Sequence, residues 1–185
     1  MTGKERRSAS KFMSFVLRHH PDAINLELDK NGWAETHALI EGMKQARRNV
    51  TLEDLKEIVS SCDKQRFKFS DDYTKIRANQ GHSVSVDVEM KQLKPPQVLY
   101  HGTTARYLTS IKSDGLHAKS RLHVHLSTDR DVAKKVGQRH GKPVLLTIDA
   151  AKMHEDGFVF LLSDNGIWLT KHVPATYIIA DDDLH

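Results

Sequence analysis

The stretch Lys94-Pro95-Pro96-Gln97 constrains this chain more than any other feature. Two adjacent prolines lack backbone donors and push the residue before each toward an extended conformation, so neither a helix nor a strand ladder runs through them. The residues on either side also follow different patterns. Before the prolines, apolar side chains recur mostly at helical spacing; after them come short runs rich in β-branched and aromatic residues. A length of 185 residues allows one ordinary domain or two small ones. The change of pattern favours two lobes, 1–93 and 94–185, of α+β class.

In the first lobe, Ser8 or Ser10 is a plausible cap for a helix carrying Phe12, Phe15, Val16 and Leu17. Pro21 stops it, which leaves Arg18, His19 and His20 in its last turn. Leu26 and Leu28 alternate with Glu27 and Asp29 like a short strand, and Asn31-Gly32 signals a tight turn before Trp33. Thr36 caps a helix with Leu39, Ile40 and Met43. Thr51, with Asp54 at the capping-box position, caps another with Leu52, Leu55, Ile58 and Val59. Arg66–Ser70, Asp71-Asp72 and Tyr73–Arg77 read as strand, turn and strand. Helices followed by a basic hairpin resemble a winged helix.

The second lobe offers strands at Val98–Tyr100, Leu122–Leu126, Val144–Ile148, Phe158–Phe160, Ile167–Leu169 and Tyr177–Ile179. One helix is expected from about Ala105 to Ser113. Another follows Thr128-Asp129 and carries Val132, Ala133 and Val136. No repeat or low-complexity segment is evident. No apolar run reaches the roughly 18 residues of a membrane span, and the basic start lacks the apolar core of a secretion signal. With one cysteine, Cys62, no intrachain disulfide can form, and a cytoplasmic protein is expected. Net charge is +4 and pI about 9.1, compatible with a nucleic-acid or phosphate ligand.

Four constellations bear chemistry. Arg18-His19-His20-Pro21 either complements a helix dipole or forms an anion site beside a proton-handling imidazole. Lys64-Gln65-Arg66-Phe67 is either a solvated strand edge or a second phosphate-facing arginine, with Arg66, Lys68 and Ser70 on one face. Tyr100-His101-Gly102-Thr103-Thr104 is either a strand-to-helix turn or a point where backbone approaches a ligand closely. Arg121-Leu122-His123-Val124-His125-Leu126-Ser127 puts Arg121, His123, His125 and Ser127 on one face. His123 and His125, with His101, could be zinc ligands, although Arg121 opposes a cation there. The rival reading is a cationic strand face turned toward a phosphorylated ligand.

These pieces together resemble the RNA 2′-phosphotransferases, which belong with the ADP-ribosyltransferases. The resemblance covers nearly the whole chain. It rests on Leu17-Arg18-His19, Gly32-Trp33, Asp63–Phe67, Ile76–Ser83, His101-Gly102-Thr103, Arg121 with His123–Ser127, Asn165–Thr170 and Val173-Pro174, in that order. It implies a winged-helix-like RNA-binding lobe joined to an NAD-binding ADP-ribosyltransferase-like lobe. It also implies a two-step reaction of the kind used in tRNA splicing. An internal RNA 2′-phosphate attacks C1 of the nicotinamide ribose and releases nicotinamide, giving RNA-2′-phospho-ADP-ribose. The ribose 2-hydroxyl then attacks that phosphate, yielding 2′-hydroxyl RNA and ADP-ribose 1″,2″-cyclic phosphate.

The resemblance implies catalytic roles for Arg18, His19, Arg66 and Arg121, with the three guanidinium groups stabilising charge on the phosphoryl oxygens. His19 either handles the proton of the second step or hydrogen-bonds the phosphate. His101, Gly102, Thr103, His125, Ser127 and Arg139 are implied in NAD binding, and Lys64 in RNA binding. His125 stands where relatives often carry tyrosine. Ile167 stands where protein-modifying relatives carry glutamate, which argues against transfer to protein side chains. NAD is consumed as a co-substrate, no metal is implied, and a monomer is expected. The alternatives are a non-catalytic RNA or ADP-ribose binding module, and a zinc hydrolase built on His101, His123 and His125.

Overall fold

Thr2 and Glu5 start the first helix by capping each other. The Glu5 amide donates to Thr2 Oγ1 (3.3 Å), and the Thr2 amide donates to the Glu5 carboxylate (2.7 Å). Helix α1 (Gly3–Arg18) therefore begins well before Ser8 and Ser10, the expected caps. The apolar period becomes visible only at Phe12, whereas the capping box lies two turns upstream. The computed structural model describes residues 1–180; residues 181–185, the end of the expected second lobe, lie outside the described residues. Two compact units divide between Glu89 and Met90. The described residues are mixed α and β, with six α-helices and four antiparallel sheets, and none of the helices is long and apolar enough to cross a membrane.

In the first unit, β1 (Ala34–Glu35), α2 (Thr36–Gln45), α3 (Leu52–Ser60), β2 (Phe67–Phe69) and β3 (Lys75–Ala78) follow α1. The strands form a sheet in the order β1-β3-β2, with Phe67 opposite Ala78 and Ala34 opposite Ile76. Met13, Val16 and Leu17 of α1 pack with Leu39, Met43, Leu55, Ile58, Phe67 and Ile76 into one core. Thr51 and Asp54 form the expected capping box on α3. Two other expectations fail. Leu26 and Leu28 reach the core from irregular chain without a ladder, because the Asp29 carboxylate accepts from Asn31 and Trp33 amides and turns the backbone. Thr36 is the buried first residue of α2 rather than its cap, and its amide donates to the Thr74 carbonyl (2.8 Å). In the hairpin turn, Asp72 accepts from Ser70 and Thr74, which holds its carboxyl down to about 2.

The second unit comprises β4 (Lys91–Gln92), β5 (Val98–Thr104), α4 (Ala105–Asp114), β6 (Leu116–His117), β7 (Val124–Leu126), α5 (Arg130–Gly137), β8 (Pro143–Asp149), α6 (Ala150–Glu155), β9 (Leu161–Leu162), β10 (Trp168–Thr170), β11 (His172–Val173) and β12 (Ile178–Ala180). Its sheets run β12-β8-β5, β4-β9-β10-β7 and β11-β6. Strand β4 pairs with β9, so pairing within this unit begins ahead of Pro95-Pro96. Phe158–Phe160 is not a strand; the ladder starts one residue later, at Leu161, while Phe160 is buried as a core plug. Helix α6, absent from the sequence reading, is started by Asp149, whose carboxylate accepts from the Lys152 amide (3.0 Å).

Helix α5 packs against β5 through backbone rather than large side chains. A Cβ on Gly102 would lie 1.7 Å from the Ala133 carbonyl oxygen, and one on Gly137 would lie 2.5 Å from that of Thr103. Ala133 and Gly137, one turn apart, therefore face the strand. Val132 and Val136, which mark this helix in the sequence together with Ala133, are 43% and 39% exposed. Gly102 is also inside β5, paired with Leu145, and not in a bend beyond it. Gly102→Ala should cost more than about 3 kcal/mol, beyond ordinary overpacking because the clash is with backbone. Gly3→Ala, where nothing lies within 4 Å, should be neutral or slightly stabilising. Urea unfolding of the two variants checks this.

Candidate functional site

Helix α1 ends where the chain needs a partner for its last carbonyls. The segment after β3 supplies one. The Ser83 amide donates to the Arg18 carbonyl at 2.9 Å, and the Val84 amide approaches the same oxygen at 3.4 Å. The Ser83 hydroxyl also bonds His19 Nδ1 at 2.9 Å. One residue thus fixes both the end of the helix and the rotation of the His19 ring. Arg18 is partly buried, with Nε and Nη2 shielded from water.

The same segment reaches the start of β2. The Asn79 amide donates to the Arg66 carbonyl (2.9 Å), and Asn79 Nδ2 donates to the Gln65 carbonyl (2.6 Å). Gln65 has φ +40, a left-handed conformation that a non-glycine residue keeps only when held. Arg66 Nη1 then donates to Cys62 Sγ at 3.3 Å. Burial raises the Cys62 thiol, but the Arg66 and Lys64 amides and the Arg66 guanidinium outweigh it, and the thiol sits below its ordinary value. Lys64 is exposed beside this loop.

His82 is 3% exposed, and its Nε2 has no hydrogen-bond partner among the described residues. Burial, then the Arg18, His19 and Arg77 charges, pushes it down to about 4. Gly32 (φ +79) gives it room, since a Cβ there would stand 3.4 Å from Nε2. Arg77 is 4% exposed and committed to the fold. It donates to the carbonyls of Asn31 (3.1 Å) and Val88 (3.0 Å), pairs with Glu89 (3.3 Å), and lies 4.5 Å over the Trp33 ring. Sequence reasoning quoted Asn79, His82 and Ser83 only as part of a motif and gave them no role. The partners of Asn79 and Ser83 are 13 to 65 residues away in sequence, beyond any local pattern.

In the second unit, His101 Nδ1 bonds the His125 carbonyl at 2.9 Å. A carbonyl only accepts, so the proton is on Nδ1. Burial lowers the His101 imidazole; the carbonyl partly offsets this, and Arg121 and Lys119 lower it further. Arg121 Nη1 approaches His125 Nδ1 at 2.9 Å. A guanidinium only donates, so His125 is neutral there with its proton on Nε2. Arg121 itself is lowered by burial and then by the Arg139 charge. Burial and Lys171 lower His123 as well. Ser127 Oγ accepts from the Asp129 amide (3.0 Å), and the Ser127 backbone bridges Tyr100. Thr103 is buried, while Arg139 is exposed in a 3₁₀ turn after α5. Among the described residues no group of three or more His, Cys, Asp or Glu side chains could hold a metal ion, so His101, His123 and His125 do not gather as the zinc reading requires.

His82 makes stability depend on pH. Its folded pKa lies below the unfolded value near 6.5, so the unfolded chain binds the proton more tightly, and stability is lost as pH falls from about 6.5 toward 4. His82→Leu should remove up to about 3 kcal/mol of that loss. His101 and His123 shift in the same direction and keep part of the slope. Urea titrations at pH 7 and pH 4.5 measure the difference.

Residues 4–172 match the model of the family described as RNA 2′-phosphotransferase, Tpt1 / KptA family. A protein of Acaryochloris marina named "Probable RNA 2′-phosphotransferase" is 49% identical over 176 residues, covering 95% of this chain and 97% of its own length. Proteins of the same name from Flavobacterium johnsoniae and Pseudomonas fluorescens are 48% and 47% identical. They cover 93% and 97% of this chain, and 94% and 100% of their own lengths.

Proposed function

Because the chain belongs to the RNA 2′-phosphotransferase (Tpt1 / KptA) family, we propose that it transfers an internal RNA 2′-phosphate to NAD. The observation that carries this reading is the short segment Asn79–Ser83, which holds Arg18, His19 and Arg66 at once. A phosphate dianion needs several preorganised donors, and guanidinium groups supply them in a fork. The first unit is read as a winged-helix-like RNA lobe, supported by α2, α3 and the β2–β3 hairpin. The second is read as an ADP-ribosyltransferase-like lobe.

On this reading Arg18 and Arg66 bind phosphoryl oxygens, and Lys64 adds field for the RNA backbone. His19, oriented by Ser83, donates to the phosphate or carries the proton of the attacking hydroxyl. The donor chemistry of the second unit suits a dinucleotide pyrophosphate: Arg121 and Arg139 are near enough for one to depress the other, and paired like charges match two phosphates. When bound, NAD supplies an electrophilic ribose carbon with nicotinamide as leaving group. His101, kept neutral, presents an imidazole without added positive charge, and His125 fixes the Arg121 fork. Ser127 bridges Tyr100 of β5, the strand that also carries Thr103. Gly102 acts through the fold, by admitting α5. Cytoplasmic action as a monomer completes the reading, the lone cysteine favouring a reducing compartment.

Incubation with NAD and an oligonucleotide bearing one internal 2′-phosphate should release nicotinamide and leave a 2′-hydroxyl. Arg18→Ala and Arg66→Ala should each slow turnover by roughly 10²–10³-fold, the usual cost of one oxyanion donor, and Arg121→Ala should raise the KM for NAD. Ser83→Ala should slow it less than His19→Ala, and Ser83→Thr should restore it. No nicotinamide release from the wild-type enzyme would overturn the proposal.

A further inference from the structure

Helix α1 exposes a large apolar ring where a soluble helix ordinarily places a polar residue. Phe15 is 42% exposed, although the same helix buries Met13, Val16 and Leu17 completely. Its ring lies 4.7 Å from the His20 ring and 6.2 Å from that of Phe12, over which the Arg48 guanidinium sits at 4.6 Å. Three- and four-residue spacing puts Lys11 one turn before Phe15, and Arg18 and His19 one turn after it. Lys4 lies seven residues before Lys11 on the same side.

The charge of this face is one-sided. The helix carries Lys4, Arg6, Arg7, Lys11 and Arg18 against a single acidic residue, Glu5, which is occupied in the N-terminal cap. Arg6 pairs with Glu57. Lys4, Arg7 and Lys11 are exposed and have no carboxylate partner among the described residues. Cations flanking an exposed ring match the two components of single-stranded nucleic-acid binding: charge along a backbone and a platform for a base. A rise of 1.5 Å per residue places Phe15 about 6 Å along the axis from His19, and Lys11 about 6 Å beyond that.

We propose that this face of α1 is a track for unpaired RNA flanking the 2′-phosphate, with one base stacked on Phe15 and its neighbouring phosphates on Lys11 and Lys4. The proposal rests on the reading of Arg18 and His19 as the 2′-phosphate site. It makes the preferred substrate a 2′-phosphate within a single-stranded stretch several nucleotides long. Phe15 here acts in substrate binding and takes no part in the chemistry.

The test compares a 2′-phosphorylated dinucleotide with strands extended by four unpaired nucleotides on the 5′ or the 3′ side. Wild type should prefer one extended strand, through KM. Phe15→Ala and Lys11→Glu should each reduce that preference by roughly tenfold, and Phe15→Trp should retain it. The indole of Phe15→Trp should be quenched by an unmodified single strand and much less by a duplex. Equal loss on the dinucleotide and the extended strands would overturn the proposal, since the ring would then only support the end of α1. So would equal rates of wild type on all substrates, or equal quenching by duplex. If wild type releases no nicotinamide with any strand, the proposed activity fails. The quenching measurement still decides the track on its own.

Discussion

Everything proposed for the first unit depends on the hydrogen bonds made by Asn79 and Ser83. A helix end and the entry to a hairpin are both places where backbone groups lack partners and the chain frays. Here one segment closes both. Ser83 caps the Arg18 carbonyl and orients His19, while Asn79 holds the left-handed Gln65 and the Arg66 that follows it. Arg77, two residues before Asn79, locks the segment's origin by filling Asn31 and Val88 carbonyls and stacking on Trp33. The backbones that carry Arg18 and Arg66, from distant parts of the chain, are thereby held by one segment.

The second unit reaches order by a different means. Its central helix comes so close to β5 that two glycines are required, and backbone meets backbone. The imidazoles nearby are then assigned their protons by their partners. A carbonyl obliges His101 to donate from Nδ1, and a guanidinium obliges His125 to accept there. Both rings stay neutral beside Arg121, which limits the positive charge that has to be tolerated before an anion binds. His123 lies before β7, and His125 Nδ1 is already occupied by a cation donor, so the His-x-His pair is not presented side by side on one strand as the zinc reading requires.

Local patterns in the sequence identified five of the six α-helices and most strands, because burial imposes its period directly. Thr51-x-x-Asp54 and Asn31-Gly32 were legible for the same reason: the groups involved are neighbours along the chain. Errors arose where a short signal competed with a long one. Thr2-x-x-Glu5 starts α1 outside its apolar stripe, and Leu26 and Leu28 alternate without a ladder partner. Arg18, His19 and Arg66 were visible as residue types. What orients them was not, since Ser83 and Cys62 join the site through folding. Arg77 is the instructive contrast with Arg18: both are arginines in basic stretches, and only the carbonyls and carboxylate around Arg77 mark it as structural. Gly102 was legible as a required glycine but not for its reason, which is a helix and not a bend.

The cost of assembling these cations is visible in His82. Arg18, His19 and Arg77 surround a buried imidazole, and Glu89 is the carboxylate that balances Arg77. His82 responds by giving up its proton, which leaves a neutral ring with an unpartnered nitrogen in a positive field. A phosphate dianion entering beside Arg18 and His19 would offset the repulsion that now depresses His82 and would raise its proton affinity. Anion binding and protonation of the first unit are therefore coupled with a positive sign. The pH dependence of the first unit therefore has two sources, burial of the His82 ring first and the Arg18, His19 and Arg77 charges second, and only the second would respond to an anion.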